Sequence, residues 1–341
     1  MNTAFIRAAL RRFPPVARRD KVIARLRRKV RDLRATTAAL EGDRAAHAER
    51  SRDAFARIPS FQMRIHMERR LETLAKEVGA PSTSVIRHGK FYVYELVRSH
   101  GIETPAELGR WDDPADIPWT ELPDMVVVKS AFGTNARGTW PLRRSDDGWR
   151  PVGDRKSVTQ DEIMSSMTRL IERGTIQGPF VAEEFLDEDG AGRLPTDVKI
   201  YAFYGEVPMV VLRRPGRLGE HVARTLFRAV DEHGEDTVGL ETGSTIDPSL
   251  PVPPRLAEAV DHAKRLSLAL RTPFSRLDFY CLPDRVVFGE ITPRPGGSAW
   301  HGPVVDFMLG EAWDRAQMRL ARDLSEGMPP EPEFGAHPPV T

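Results

Sequence analysis

The sequence predicts an α+β fold with antiparallel sheets, preceded by a helical N-terminal arm. Three observations carry this. Strands come in pairs joined by short turns, as in 197–214 and 275–291. Single helices separate those pairs, without the alternating β-α-β units that would demand a doubly wound parallel sheet. The first fifty residues also stand apart by charge: they hold 14 Lys/Arg against 5 Asp/Glu, whereas the remainder holds 36 against 44.

The 341 residues are 40% hydrophobic, include 28 prolines and carry a net charge of +1, as expected of a globular chain with long loops and two or three domains. The single cysteine, Cys281, excludes a disulfide framework and a cysteine-based zinc site, and fits a cytoplasmic protein. No apolar run reaches the ~18 residues of a spanning helix. The opening FIRAALRRFPPVARR places arginines where a signal peptide needs an apolar core. Its Arg/Ala-rich character resembles a transit peptide, but arginine is common throughout, 42 against 8 lysines.

Residues 20–56 read as a helix. Ile23, Leu26, Val30, Leu33, Thr37 and Leu40 follow the 3-4-3-4-3 spacing of a coiled-coil seam, held for about three heptads. Two readings stay open. One is a solvated basic helix docked on its own body. The other is contact with a partner: a homodimer through 20–42, or peripheral contact with an anionic membrane surface or an assembly complex. No aromatics interleave with the arginines, so nucleic acid is not expected.

Residues 60–80 continue helical. HGKFYVYELVRSHGIETPAEL (88–108) gives a short amphipathic helix, a stop at Gly101 and a loop, and WDDPADIPWTELP (111–123) gives a proline-rich connector. From 125, MVVVKSAFGTNARGTW is a strand, a glycine-bearing loop and a second strand, followed by a hairpin turning at Asp147-Gly148. Thr159-x-x-Glu162 is a capping box that opens a helix ending near Gly174. PFVAEEFL (179–186) is a strand, 197–214 a hairpin turning at Gly205-Glu206, 254–270 a helix, 275–291 a hairpin, and 304–323 the last helix. The resulting division is a basic helical arm (1–70), a reduced helical region and connector (71–124), a small subdomain (125–190), a large subdomain (191–325) and a loose tail (326–341).

Four segments can carry chemistry. Lys129 ends an apolar strand and precedes a loop in which Gly133 and Gly138 permit a phosphate to approach the backbone. Alone, that pattern equally describes a hairpin with a snorkelling lysine. VAEEFL ends an apolar strand with Glu183 and Glu184, then Phe185 and Leu186, apolar surfaces suited to a purine face. In DVKIY, Asp197, Lys199 and Tyr201 share one strand face and Val198 and Ile200 the other. Asp278 and Glu290 lie on partner strands. A two-residue loop, 283–284, puts them on opposite faces. A three-residue loop, 283–285, pairs them directly, together with Tyr280–Phe288 and Leu282–Val286, and is the register expected here. Facing carboxylates repel unless a cation lies between them, and two such acids suit Mg²⁺. Thr292 extends that face by one step and adds a hydroxyl. The stiff TPRPGGS loop presents Arg294 to a phosphate or carboxylate.

In this order and spacing the segments over about 85–300 resemble the ATP-grasp superfamily, and DVKIYAFYGEV and RLDFY…VVFGEIT most resemble its TupA-like branch, named for teichuronopeptide biosynthesis. The resemblance implies two α+β subdomains gripping ATP. It implies that Lys129 touches the α and β phosphates and that the 131–138 loop folds over them. Glu183, Phe185 and Leu186 would line the adenine site, with backbone groups of 184–186 reading the base edge. Asp197 would lie near the ribose or phosphates and Lys199 near the γ-phosphate. Asp278, Glu290 and Thr292 would hold Mg²⁺, one ion or two, and Arg294 would steady the transferred phosphoryl group. Thr292 stands where many relatives carry asparagine, which bears on the metal count. Residues 1–120 show no βαβ substrate domain, so substrate recognition falls to residues such as His88, Lys90, Arg213, Arg214 and His301.

The implied activity is carboxylate–amine ligation through an acyl phosphate, in cell-envelope polymer or peptide biosynthesis. A phosphotransferase on the same fold and a non-catalytic coiled-coil adaptor are the alternatives. The identities of the acid and the amine are not legible.

Overall fold

A computed structural model describes residues 22–38, 59–80, 89–132, 138–154, 156–216, 225–237, 245–296 and 301–337. The chain divides into two units, 1–58 and 59–341. In the first, residues 22–38 form helix α1. Its seam is open: Ile23, Leu26, Val30 and Leu33 are all exposed. Leu40 and the rest of the expected 20–56 helix lie outside the described residues.

The second unit holds two sheets. The smaller contains β1 (Glu107–Trp111), β2 (Met125–Ser130), β3 (Thr139–Ser145), β4 (Gly148–Pro151) and β5 (Phe180–Glu184), in the order β1-β5-β2-β3-β4 with every pair antiparallel. Alternation in β2 sends Val126 and Val128 into a core with Leu142, Trp149, Phe180 and Ala182, and leaves Val127 and Lys129 on the opposite face. Helix α4 (Gln160–Glu172) covers that core with Ile163 and Met167. Its capping box forms as expected: Glu162 N donates to Thr159 Oγ1 at 3.1 Å, and Thr159 N to Glu162 Oε2 at 2.8 Å. Strand β1 lies where the sequence suggested loop and connector. ELGRW is a half-exposed edge strand with no apolar alternation, so it carried no strand signal.

The larger sheet contains β6 (Asp197–Phe203), β7 (Glu206–Arg214), β8 (Leu226–Val230), β9 (Thr245–Ile246), β10 (Ser275–Cys281) and β11 (Val286–Thr292), in the order β11-β10-β6-β7-β8-β9. Only the short β8/β9 pair departs from the antiparallel expectation. One face packs Val198, Ile200, Leu277 and Phe279 against α5 (Leu256–Ala269) and α3 (Gly89–Ser99). The other packs Tyr201, Phe203, Met209 and Val211 against α2 (Phe61–Glu77) and α6 (Pro303–Ser325). Phe61 anchors α2: fully buried, it meets the rings of Tyr201, Phe203, Phe274 and Trp313 at 4.9–6.0 Å.

Three local expectations are corrected. The β6/β7 turn is Tyr204-Gly205, both at positive φ (44° and 90°), with Phe203 paired to Glu206. The β3/β4 turn is Asp146-Asp147, with Ser145 paired to Gly148. The tail is not loose through residue 337. Glu333 N donates to Ala269 O, Gly335 N to Ser99 Oγ and His337 N to Ser99 O, at 2.8–3.0 Å, while Phe334 meets Tyr92 edge-on. These bonds satisfy tail amides on the ends of α3 and α5, which composition could not foretell.

Phe61→Ala is expected to cost about 3–5 kcal/mol, because it empties the centre of an aromatic cluster. Urea unfolding measures this; a loss below about 1 kcal/mol would mean that α2 adds little to the large-sheet core.

Candidate active site

A cavity of about 720 Å³ is lined from both sheets and from α3. Its floor is the half of the large sheet where the β6 face turns from aromatic to charged. Three register pairs build it: Asp197 opposite Arg213, Lys199 opposite Asp278, and Asp278 opposite Glu290. The side chains follow the register. Arg213 Nη1 meets Asp197 Oδ2 at 2.6 Å, Lys199 Nζ meets Asp278 Oδ2 at 2.5 Å and Asp197 Oδ2 at 3.4 Å, and Arg276 grips Asp278 through two bonds of 2.7 and 2.8 Å. Arg276 Nη2 also reaches Thr292 Oγ1 at 2.9 Å and Glu290 Oε1 at 3.4 Å. Cation and anion thus alternate across four strands.

The Asp278–Glu290 pairing is the expected one, but the hairpin reaches it differently. Cys281 pairs with Val286, Tyr280 with Val287 and Phe279 with Phe288, and the register shifts before Asp278–Glu290. Gly289 is the extra residue of this bulge. A Cβ there would lie 3.0 Å from the Tyr280 ring and 3.1 Å from Asp278 O, so a larger residue would crowd the partner strand. The expected Tyr280–Phe288 and Leu282–Val286 pairs do not form. The chain closes a tighter turn, with Leu282 N donating to Arg285 O at 2.9 Å.

Electrostatics separate the two acids. Burial works against a charge on Asp278, but Arg276 and Lys199 overcome it and bring the carboxyl down to about 2. Glu290 is 60% accessible, its open side facing the cavity. The cavity walls and then Asp278 raise its proton affinity. The cation between the facing acids is the Arg276 guanidinium. That residue has a signal in the sequence, two positions before Asp278 on the same strand face.

On the small sheet, Lys129 and Glu183 sit diagonally on one face of β2/β5, since Lys129 pairs with Val181. They form a buried ion pair, and Lys129 Nζ donates to Tyr94 Oη at 2.7 Å. Glu183 lines the cavity as expected, but its carboxylate is taken by Lys129. Helix α3 adds four cavity residues, Gly89, Lys90, Val93 and Tyr94, and its two polar ones, Lys90 and Tyr94, lie one turn apart. Lys90 Nζ donates to Ser130 O at 3.1 Å. Burial, and then Lys129, lowers its ammonium to about 8.

Phe185 and Leu186 line the cavity, and Leu186 packs with Leu282, Val287 and Tyr280. Glu184 is committed to structure: its N–H donates to Ala106 O, and its carboxylate takes Ala106 N and Arg285. Gly138 does not line the cavity. It closes the β2/β3 hairpin at φ +79°, where a Cβ would meet Ile176 at 2.6 Å. Arg294 also stands elsewhere, its guanidinium paired with Glu72 of α2 while Arg69 holds Pro295 O. The acid that claims it lies in a distant segment. Arg213 lines the cavity, Arg214 turns to Thr196 and Glu188, and His301 is buried between Phe61 and Tyr201. Gly133 and His88 lie outside the described residues.

Among the described residues no cluster of three His, Cys, Asp or Glu side chains is arranged for a metal ion. Asp278, Glu290 and Thr292 nevertheless bring three oxygens around one position, that of the Arg276 Nη2 cation. Two carboxylates with the remaining ligands from water and phosphate is the usual provision for Mg²⁺, so the donor set fits that ion.

A family model described as TupA-like ATP-grasp matches residues 70–313. The chain belongs to that family. It is therefore an ATP-grasp protein. No curated protein matches it. Among solved structures it is similar to D-alanine–D-alanine ligase from Bacillus anthracis complexed with ATP, with a TM-score of 0.44 and 15% identity over 76% of each chain. ATP-grasp ligase PsnB, complexed with a phosphomimetic variant of its minimal precursor, Mg and ADP, gives 0.39 and 15% over 72% of this chain and 64% of that one. A Chryseobacterium gregarium RiPP-associated ATP-grasp ligase, in complex with ADP and a leader and core peptide, gives 0.36 and 13% over 70% and 62%. Among the described residues no helix is long and apolar enough to cross a membrane.

Asp278→Asn removes the shared anion of Arg276 and Lys199 and is expected to destabilise the fold by about 3–5 kcal/mol at neutral pH. The folded carboxyl titrates near 2 against an ordinary 3.8, so its contribution is full above about pH 4 and fades as pH falls toward 2. The gap between the urea midpoints of wild type and variant should narrow over that window; a constant gap would contradict the assignment.

Proposed function

We propose that this protein is an ATP- and Mg²⁺-dependent carboxylate–amine ligase that forms an amide through an acyl phosphate. The observation that supports this best is the cavity itself: two lysines on one wall, an alternating charge ladder on the other and an apolar end at Phe185 and Leu186. An adenine would lie against Phe185 and Leu186, with the backbone of those two residues at its edge, since Glu184 N is already engaged. Lys129 and Lys90 would meet the phosphates. Asp278, Glu290 and Thr292 would hold Mg²⁺, which, when bound, neutralises charge on the phosphate oxygens.

The work of this chain is positioning and charge compensation. Lys199, between Asp197 and Asp278, would face the γ-phosphoryl group. Arg276 takes the place assigned to Arg294, since its guanidinium is already beside both acids. The substrate carboxylate attacks the γ-phosphorus and ADP leaves; the amine then attacks the acyl carbon and inorganic phosphate leaves. No protein nucleophile is required. Release of free phosphate, rather than phosphate retained on the acceptor, distinguishes this from phosphotransfer.

Thermal unfolding with Mg²⁺ and ATP tests the site. The wild type should gain several degrees and Glu290→Ala, at an accessible position, should fold but lose most of that gain. A folded wild type with no gain would overturn the nucleotide reading.

Lys90 gives the site a pH signature. Its ammonium is lowered to about 8, and a phosphate beside it would favour the charged form. Nucleotide affinity should therefore fall as pH rises above about 8. Binding there should take up protons, seen by calorimetry in buffers of different ionisation enthalpy. Lys90→Met should abolish the uptake.

A further inference from the structure

Tyr94 belongs to α3, outside both sheets, yet its hydroxyl lies against Lys129. The helix is fixed on the large-sheet side, where Val93, Leu96 and Val97 enter the core with Val198, Ile200 and Phe279. Lys129 belongs to the small sheet. The 2.7 Å bond from Lys129 Nζ to Tyr94 Oη therefore ties one sheet to the other beside the cavity, and Lys90 to Ser130 O makes a second tie one turn earlier.

We propose that Tyr94 is a positioning residue for the nucleotide phosphates, acting through Lys129; this rests on the ATP reading above. An ammonium has three donors. One goes to Glu183 and one to Tyr94 Oη, which leaves the third for the cavity that Lys129 lines. The phenol is buried, and burial pushes it up to about 12. Tyr94 is therefore neutral at physiological pH and holds Lys129 as a hydrogen-bond acceptor, not as a counter-ion. This distinction matters. A second carboxylate in that place would cancel the charge that a phosphate needs, whereas a neutral oxygen directs the ammonium and leaves its charge intact. Without the hydroxyl, Lys129 keeps only Glu183 and is free to fold onto it, away from the phosphates. The ring has a separate task, packing edge-on against Phe288 at 6.2 Å, which phenylalanine preserves.

The test is Tyr94→Phe in the full chain, with Mg²⁺-ADP affinity measured by calorimetry at pH 7 and thermal stability measured alongside. The loss of one hydrogen bond to a charged group predicts about fivefold to tenfold weaker binding. The effect should vanish in a Lys129→Met background, since Tyr94 acts only through that ammonium. Equal affinity of wild type and Tyr94→Phe would overturn the role of Tyr94 and leave the nucleotide reading standing. So would a loss of the same size with Lys129 already replaced, which would mark a general loosening of α3. A wild type that binds no Mg²⁺-ADP would overturn the nucleotide reading and the role of Tyr94 with it.

Discussion

The charge ladder across β7, β6, β10 and β11 is the constraint on which the rest of this structure depends. Arg213, Asp197, Lys199, Asp278, Arg276 and Glu290 alternate in sign on one sheet face. Charges as enclosed as those of Lys199, Asp278 and Arg276 persist only with an opposite neighbour, and removing Asp278 strands two others. The ladder therefore constrains strand register together with the apolar packing on either side. A slip of one residue would turn every charge into the hydrophobic core behind it. The Gly289 bulge belongs to the same constraint. It keeps Phe279 and Phe288 together in the core while Asp278 and Glu290 face each other on the far side.

A sheet face can be charged along half its length only if the other half is well held. On β6 the same face runs Asp197, Lys199, Tyr201, Phe203: two charged residues over the cavity, then two rings under α2 and α6. Phe61 and its neighbours close that second half. Helix α2 therefore serves the site at a distance, by sealing the apolar half of the face and by holding Arg294 and Pro295 just after the Glu290–Thr292 segment.

What was legible in the sequence follows from how local each signal is. The alternation in DVKIY, the capping box at Thr159 and the facing of Asp278 and Glu290 rest on nearby residues, and the structure contains all three. The route to that facing pair was not legible, because a three-residue loop and a bulge at Gly289 give the same pairing of the acids. Partner choice was the larger gap. Arg294 was expected at a phosphate because its own loop is stiff, but Glu72 of a distant helix holds it. The tail was expected to be loose because it is rich in proline, but Ser99 and Ala269 offer its amides acceptors. Arg276 could have been found: once the cation between two facing acids is sought, the arginine two residues earlier on the same face is the nearest candidate.

The ladder also sets the terms on which a ligand enters. Within the site the charges are paired among themselves: Lys129 with Glu183, Lys199 and Arg276 with Asp278, Arg213 with Asp197. A polyphosphate arriving with a divalent cation would not fill a charged void but exchange partners, its oxygens taking the cations and its metal ion taking the carboxylates. Such an exchange keeps buried charges paired throughout, so most of the desolvation cost is already met by the fold. Lys90 differs, since it donates to a backbone carbonyl, and its lowered proton affinity leaves it partly neutral near pH 8. On the proposed reading it is the cation that would gain full charge on binding a phosphate. Helix α3, which carries it together with Tyr94, is where proton uptake and phosphate binding would be coupled.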